Sequence, residues 1–177
     1  MSKTKSGEVR IVGGRWRRSK LPVPDLPGLR PTGDRLRETL FNWLGQELDG
    51  WKVLDAFAGS GALGLEAASR GALVTLVEQD SRALRSLREV VSRLEGAADC
   101  VRLQAGDAFT QIGPGWDLVL LDPPFEPDLF ERALNAACGS AWVYLEAPRE
   151  FAPPQGYRLH RHLKAGAVHA HLFARDN

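Results

Sequence analysis

From residue 51 onward, short apolar runs alternate with amphipathic stretches, and this alternation leaves few architectures open. The apolar runs sit within WKVLDAF, LVTLVEQD, CVRLQAGD, WDLVLLDPPF and SAWVYLEA, and between them lie ALGLEAASRG, SRALRSLREVVSRLEG and PDLFERALNAAC. VLDAF and LVLLD show no polar alternation, so both faces of these strands must be covered, as in a parallel sheet flanked by helices. Along residues 82–94 the period is helical, with Leu84, Leu87, Val91 and Leu94 on one stripe. YRLHRHL and AVHAHLFA instead alternate with period two around KAG, which predicts an antiparallel pair at the end of the sheet. The expected fold is α/β: a mostly parallel, Rossmann-like sheet with helices on both faces and a C-terminal antiparallel strand pair.

Upstream, RPTGDRLRETLFNWLGQEL predicts a helix capped by Thr32 or Asp34 and packed on the sheet, with Leu36, Leu40, Leu44 and Leu48 spaced by four. The four prolines of residues 21–31 form an extended linker too short to mark off a second domain. Residues 1–31 are therefore read as an arm and linker belonging to the same domain as the body, 32–177. Residues 1–20 carry seven basic side chains against Glu8, a net +6 in a chain whose total is +1. A solvated tail is the plain reading of such a cluster. Ile11, Val12, two glycines and Trp16 lie within it, however, so a small ordered β-ribbon facing RNA competes. Its candidate phosphate-binding residues are Arg10, Arg15, Arg17, Arg18 and Lys20, joined by Arg30 and Arg35.

The length of 177 residues suits one domain with a real core. No apolar run approaches the roughly 18 residues of a membrane helix, and the N-terminus lacks an apolar stretch behind its charges, so a cytoplasmic location is expected. Cys100 and Cys138 stand alone without metal-ligand spacing, which predicts reduced, buried thiols and no zinc.

Asp55-Ala56-Phe57-Ala58-Gly59-Ser60-Gly61-Ala62-Leu63-Gly64 follows an apolar strand and opens a helix, so a ligand can sit close to this backbone turn. Phe57, Gly59, Ser60 and Gly61 are the candidates to touch it. The glycines also satisfy GxGxxG, and Glu78, with Gln79 beside it, ends the next strand where a ribose-binding acid belongs. The turn alone leaves a nicotinamide dinucleotide and S-adenosylmethionine both open. Asp55 separates them, because a carboxylate there opposes a pyrophosphate and favours the ammonium and sulfonium of the methyl donor. Asp107, in GDAF, is placed to reach the adenine amine with the Ala108 amide beside it, although it could equally cap the helix that follows.

Asp122-Pro123-Pro124-Phe125 is the most diagnostic element. Two prolines directly after LVLL end that strand at the carboxyl edge of the sheet, where α/β folds bind ligands. An exocyclic base amine is a poor nucleophile, because its lone pair is delocalised into the ring. The Asp122 carboxylate and the Pro123 carbonyl can accept its two N–H bonds and favour the tetrahedral nitrogen, while Phe125 stacks on the base. His160, His162, His169 and His171 alternate on the terminal strands. No acid or cysteine accompanies them in sequence, so a solvated or RNA-facing strand surface is expected and no metal.

RIVGGRWRRSKLPVP, RPTGDRLRETLFNWL, DAFAGSGALGLEAASRGA, VEQD, GDAF, LDPPF and KAGAVHAHLF together resemble the bacterial small-subunit ribosomal RNA guanine-N2 methyltransferases of the RsmD type, from about Arg10 to Phe173. The resemblance implies a class I methyltransferase sheet, S-adenosylmethionine as donor, and the family's guanine(966)-N2 acceptor in 16S rRNA, within a partly assembled small subunit. It assigns Glu78 to the ribose, Asp107 and Ala108 to the adenine, and Asp122 to Phe125 to the reacting base, in a protein expected to act as a monomer. Trp16-Arg17-Arg18-Ser19-Lys20 departs from the family's glycine-containing version of the arm. The rivals are an N6-adenine or protein-glutamine methyltransferase with a similar turn, a non-catalytic RNA-binding assembly factor keeping the fold, and, more distantly, a nicotinamide oxidoreductase.

Overall fold

The computed structural model describes residues 7–26 and 33–177. Five parallel strands form the centre of the sheet: β3 (Lys52–Asp55), β4 (Leu73–Glu78), β5 (Val101–Ala105), β6 (Leu118–Leu121) and β7 (Trp142–Ala147). The terminal strands β8 (Tyr157–Ala165) and β9 (Val168–Arg175) complete it in the order β5-β4-β3-β6-β7-β9-β8, with β9 antiparallel to both neighbours. The apolar runs predicted as doubly covered strands are so: all four residues of β6 are inaccessible, and Val53 and Leu54 point into opposite cores. The hairpin turn is Gly166-Ala167, one residue beyond the centre of KAG, with Gly166 in the left-handed region at φ 59°.

One face of the sheet is covered by α1 (Asp34–Leu44), α2 (Ala62–Ser69) and α3 (Ser81–Arg93), the other by α4 (Leu129–Ala136) and the segment carrying Phe151. The apolar stripe of α3 buries Leu84 and Leu87 along with Ala83 and Val90, and Asp80 caps it by accepting from the Arg82 and Ala83 amides. The capping expectation for α1 needs correction. Gly33 occupies the cap without a side-chain bond, Asp34 is already helical and pairs with Arg37, and Thr32 lies outside the described residues. Leu48 is buried but falls beyond the helix, which ends at Leu44 before Gly45.

From Gly7 to Val23 the basic arm forms a ribbon, β1 (Glu8–Arg10) against β2 (Lys20–Pro22), whose Val9, Ile11, Trp16 and Leu21 enter the same core as α1 and α2. Glu66 of α2 anchors it. This fully buried carboxylate accepts from the Val12 amide at 2.8 Å and the Gly13 amide at 3.1 Å, and pairs with the guanidiniums of Arg37 and Arg70, each at 3.2 Å. Ser69 adds a second clasp, accepting from the Trp16 amide and donating to the Gly13 carbonyl. Arg18 is the described non-glycine residue with positive φ, at 71°.

Candidate active site

The carboxyl ends of β3, β4 and β6 open into a cavity of about 420 Å³, within the range of small-molecule sites. Its glycine turn is shaped by the backbone. Gly61 caps α2 with φ 82°, and a Cβ there would lie 2.7 Å from a Leu87 methyl. At Gly64 a Cβ would lie 2.3 Å from Leu76 and 2.9 Å from the Asp55 carboxylate, so this glycine lets α2 press against β3 and β4. The helix N-terminus is thereby brought over Asp55, whose Oδ2 accepts from the Gly64 amide at 2.9 Å.

Most of the residues expected at the site converge there. Asp55, Phe57, Gly59, Ser60, Glu78, Gln79, Asp107, Ala108, Asp122, Pro123 and Pro124 all line the cavity. Gly61 does not, because its contribution is the turn itself. Phe125 lies just outside the lining, half-exposed on the rim, with its ring 5.9 Å from that of Phe130. Glu78 is held rigidly: one oxygen accepts from the Gly59 amide at 2.8 Å, the other from the amides of Gln79 and Asp80. A carboxylate has lone pairs beyond those three, so hydroxyl groups of a ligand can still bind it. Asp107 caps the single 3-10 turn of residues 108–110, accepting from the Phe109 amide, so the plain capping reading is realised on the cavity wall.

Sequence reasoning missed Leu26, Asp80, Phe109, Glu126, Leu129 and Arg132 in the lining. Phe109 had a signal, since it directly follows Ala108, whereas Leu26 and Arg132 arrive from the linker and from α4 by tertiary packing alone. The Arg132 guanidinium lies 3.7 Å over the Phe109 ring.

The charge of the cavity is its decisive property. Six carboxylates line it, from Asp55, Glu78, Asp80, Asp107, Asp122 and Glu126, against the single cation of Arg132 among the described residues. Burial pushes the Asp55 carboxyl up to about 7, and the Asp122 and Glu78 carboxylates add to the rise against the opposing Gly64 hydrogen bond. Such a site repels a dinucleotide's pyrophosphate and is stabilised by a cationic ligand.

The histidines are not one solvated surface. A bulge between Leu159 and Arg161 breaks the alternation, so His160 packs edge-on against Trp142 while His162, His169 and His171 cluster on the α4 side. His171 is wholly buried. Its Nε2 accepts from the Phe151 amide, leaving Nδ1 to donate to the Leu145 carbonyl, and burial pushes its pKa down. The cysteines are free, as expected, but half-buried: Cys100 Sγ accepts from Arg15 at 2.8 Å. Of the residues expected to meet RNA, Arg10, Arg15, Arg17, Arg18 and Lys20 of the arm are exposed, as is Arg35 on α1, and Arg30 lies outside the described residues.

The strand order, the glycine turn under α2 and the Asp-Pro-Pro turn at the end of β6 define a class I methyltransferase. The family described as conserved hypothetical protein 95 matches residues 9–174. Ribosomal RNA small subunit methyltransferase D of Escherichia coli strain K12 is 43% identical over 182 residues, covering 97% of this chain and 92% of that protein. Its namesake in Haemophilus influenzae is 39% identical over 181 residues, with 94% of each chain covered. A solved structure described as the putative methyltransferase yhhF from Escherichia coli superposes with a TM-score of 0.84 at 41% identity, spanning 96% of this chain and 99% of that one. The chain belongs to the ribosomal RNA small subunit methyltransferase D family. Among the described residues no helix is long and apolar enough to cross a membrane.

Proposed function

We propose that this protein transfers a methyl group from S-adenosylmethionine to the exocyclic N2 of a guanine in 16S ribosomal RNA, acting as a monomer on a partly assembled small subunit. The observation that carries the reading is the joining, in one cavity, of an anionic cofactor wall to the Asp122-Pro123-Pro124 turn, with an aromatic ring at the rim. The residues fit the donor. Glu78 would take the ribose hydroxyls, Asp107 and the Ala108 amide the adenine, and Asp55 the cationic amino-acid end; the donor itself supplies an electrophilic methyl.

In this reading the chain's own groups act on the nucleophile. Phe125 holds the guanine by stacking, and the Asp122 carboxylate and Pro123 carbonyl accept the two amine N–H bonds. Those bonds are strongest when the nitrogen is tetrahedral, so they lower the barrier more than they bind the ground state. Family membership, with relatives named for the small-subunit RNA, supports the acceptor class. Two measurements test the reading. Calorimetry should show binding of S-adenosylmethionine and not NAD, weakened by about 1–3 kcal/mol in Glu78→Ala. Tritium from labelled donor should map to a guanine N2 of small subunits lacking the modification. NAD binding, or label on any other atom, would overturn the assignment.

A further inference from the structure

His162 and His169 approach each other across the terminal hairpin until Nε2 of one lies 3.0 Å from Nδ1 of the other, with the rings stacked. At that distance one nitrogen must give up its proton or accept from the other, so at most one of the facing nitrogens carries hydrogen. Glu150, in the segment after β7, brings a carboxylate oxygen to 3.6 Å from His162 Nδ1. One ligand atom from each of the three side chains lies within 4.8 Å of the others. We propose that Glu150, His162 and His169 form a binding site for a divalent transition-metal ion of the zinc type.

The donor chemistry selects the ion. Two neutral imidazoles and one carboxylate suit zinc and its neighbours, whereas magnesium and calcium prefer oxygen alone. A tetrahedral ion about 2.0–2.2 Å from each donor requires ligand atoms roughly 3.3 Å apart. Rotation of partly exposed side chains reaches that spacing, the facing imidazole nitrogens parting from 3.0 Å and Glu150 swinging in from its place beside the other nitrogen of His162, because Glu150 is a surface residue and His162 and His169 are half-buried. His171 takes no part, since both of its nitrogens are engaged with backbone groups. Three protein ligands leave a fourth position for water.

The ion would join two parts of the chain that matter to the rim. Glu150 immediately precedes Phe151, whose ring lies 5.9 Å from Phe130, itself 5.9 Å from Phe125. Binding would pin the Phe151 segment to the hairpin and stiffen the aromatic backing of the Asp-Pro-Pro-Phe turn.

The test uses untagged, metal-free full-length protein titrated with Zn²⁺ in competition with a chromophoric chelator, and with Co²⁺ followed by visible absorption. One equivalent should bind, and cobalt should give the intense bands of a four-coordinate ion. Glu150→Gln, His162→Ala and His169→Ala should each weaken zinc by more than roughly tenfold, at least the loss typical of disturbing a ligand's supporting shell. His160→Ala, outside the cluster, should not. Zinc should raise the melting temperature of the parent protein but not of His169→Ala, which keeps the reading clear of folding effects. Absence of stoichiometric binding would overturn the site, as would unchanged affinity in the His162→Ala/His169→Ala double variant.

Discussion

Asp55 stands at the end of β3 under the first turn of α2, where the fold gives it the backbone amides of Gly64 and Phe57 and the cavity gives it two neighbouring carboxylates. Its folded pKa of about 7 exceeds its ordinary value of 3.8, so the folded state holds a proton that the unfolded chain releases between those values. This group's contribution to stability is therefore fully present below about 4 and is lost as pH rises through 7. Asp55→Asn, which keeps an acceptor for Gly64, should raise the melting temperature relative to the parent at pH 8, with the gap closing towards pH 4. A cationic ligand reverses the balance by favouring the charged carboxylate. Calorimetry at pH 6.5 in buffers of different ionisation enthalpy should show proton release on donor binding by the parent and not by Asp55→Asn; equal release by both would remove Asp55 from the ligand's charge. The location of Asp55 was legible from strand, turn and helix. Its protonation was not, because that depends first on complete burial and then on Asp122 and Glu78, which lie 67 and 23 positions away in sequence and meet it only in the fold. Arg18 makes a second residue-scale case. Its left-handed backbone strains any residue with a Cβ, so Arg18→Gly should stabilise the protein by about 1 kcal/mol, read from denaturant midpoints. A destabilised variant would show that the Arg18 side chain outweighs the strain.

At the scale of elements, the N-terminal ribbon behaves differently from what its charge alone suggests. The +6 of residues 1–20 invites deletion as a test of RNA binding, and every candidate donor contact named from the sequence lies at Asp55 or beyond, so that the deletion is expected to spare a donor site built from residue 30 onward. Leu26 on the cavity wall corrects the second half of that expectation. Packing corrects the first. Deleting the ribbon would strip the Val12 and Gly13 amides from Glu66 and expose the core around Trp16, and each lost hydrogen bond to a buried charge costs roughly 1.5–3 kcal/mol. The ribbon's existence was legible from apolar residues interleaved with its charges. Its anchorage was not, because Glu66 reads in sequence as an ordinary helical glutamate and acquires its role from Arg37 and Arg70 on either side. Neutralising exposed charge is the cleaner experiment. Arg17→Ala combined with Arg18→Gly should preserve or raise stability while weakening RNA binding, and should make the salt dependence of log K shallower by roughly 0.7 to 0.9 for each phosphate the protein no longer neutralises. An unchanged salt slope in the folded variant would place the RNA on another surface.

At the scale of the whole molecule, the sheet gathers the functional turns at the carboxyl ends of adjacent strands β4, β3 and β6. That arrangement was readable because doubly buried parallel strands advertise themselves as unbroken apolar runs and because prolines and glycines mark where they stop. The histidine surface was misread for the opposite reason. The β8 bulge and the approach of Glu150 from the preceding segment are tertiary events without a local signature. Arg132 reaches the cavity by the same kind of event. The central claim is that the anionic wall binds the donor and the Asp-Pro-Pro-Phe turn performs the transfer, as separable parts of one cavity. The most direct measurement is single-turnover methyl transfer by Asp122→Ala under saturating labelled donor, alongside donor affinity for the same variant. Transfer should fall by at least about 10²-fold, as for loss of a group serving the transition state, while donor affinity stays within a few fold. Near-normal turnover by the folded variant would contradict the account and make the turn structural.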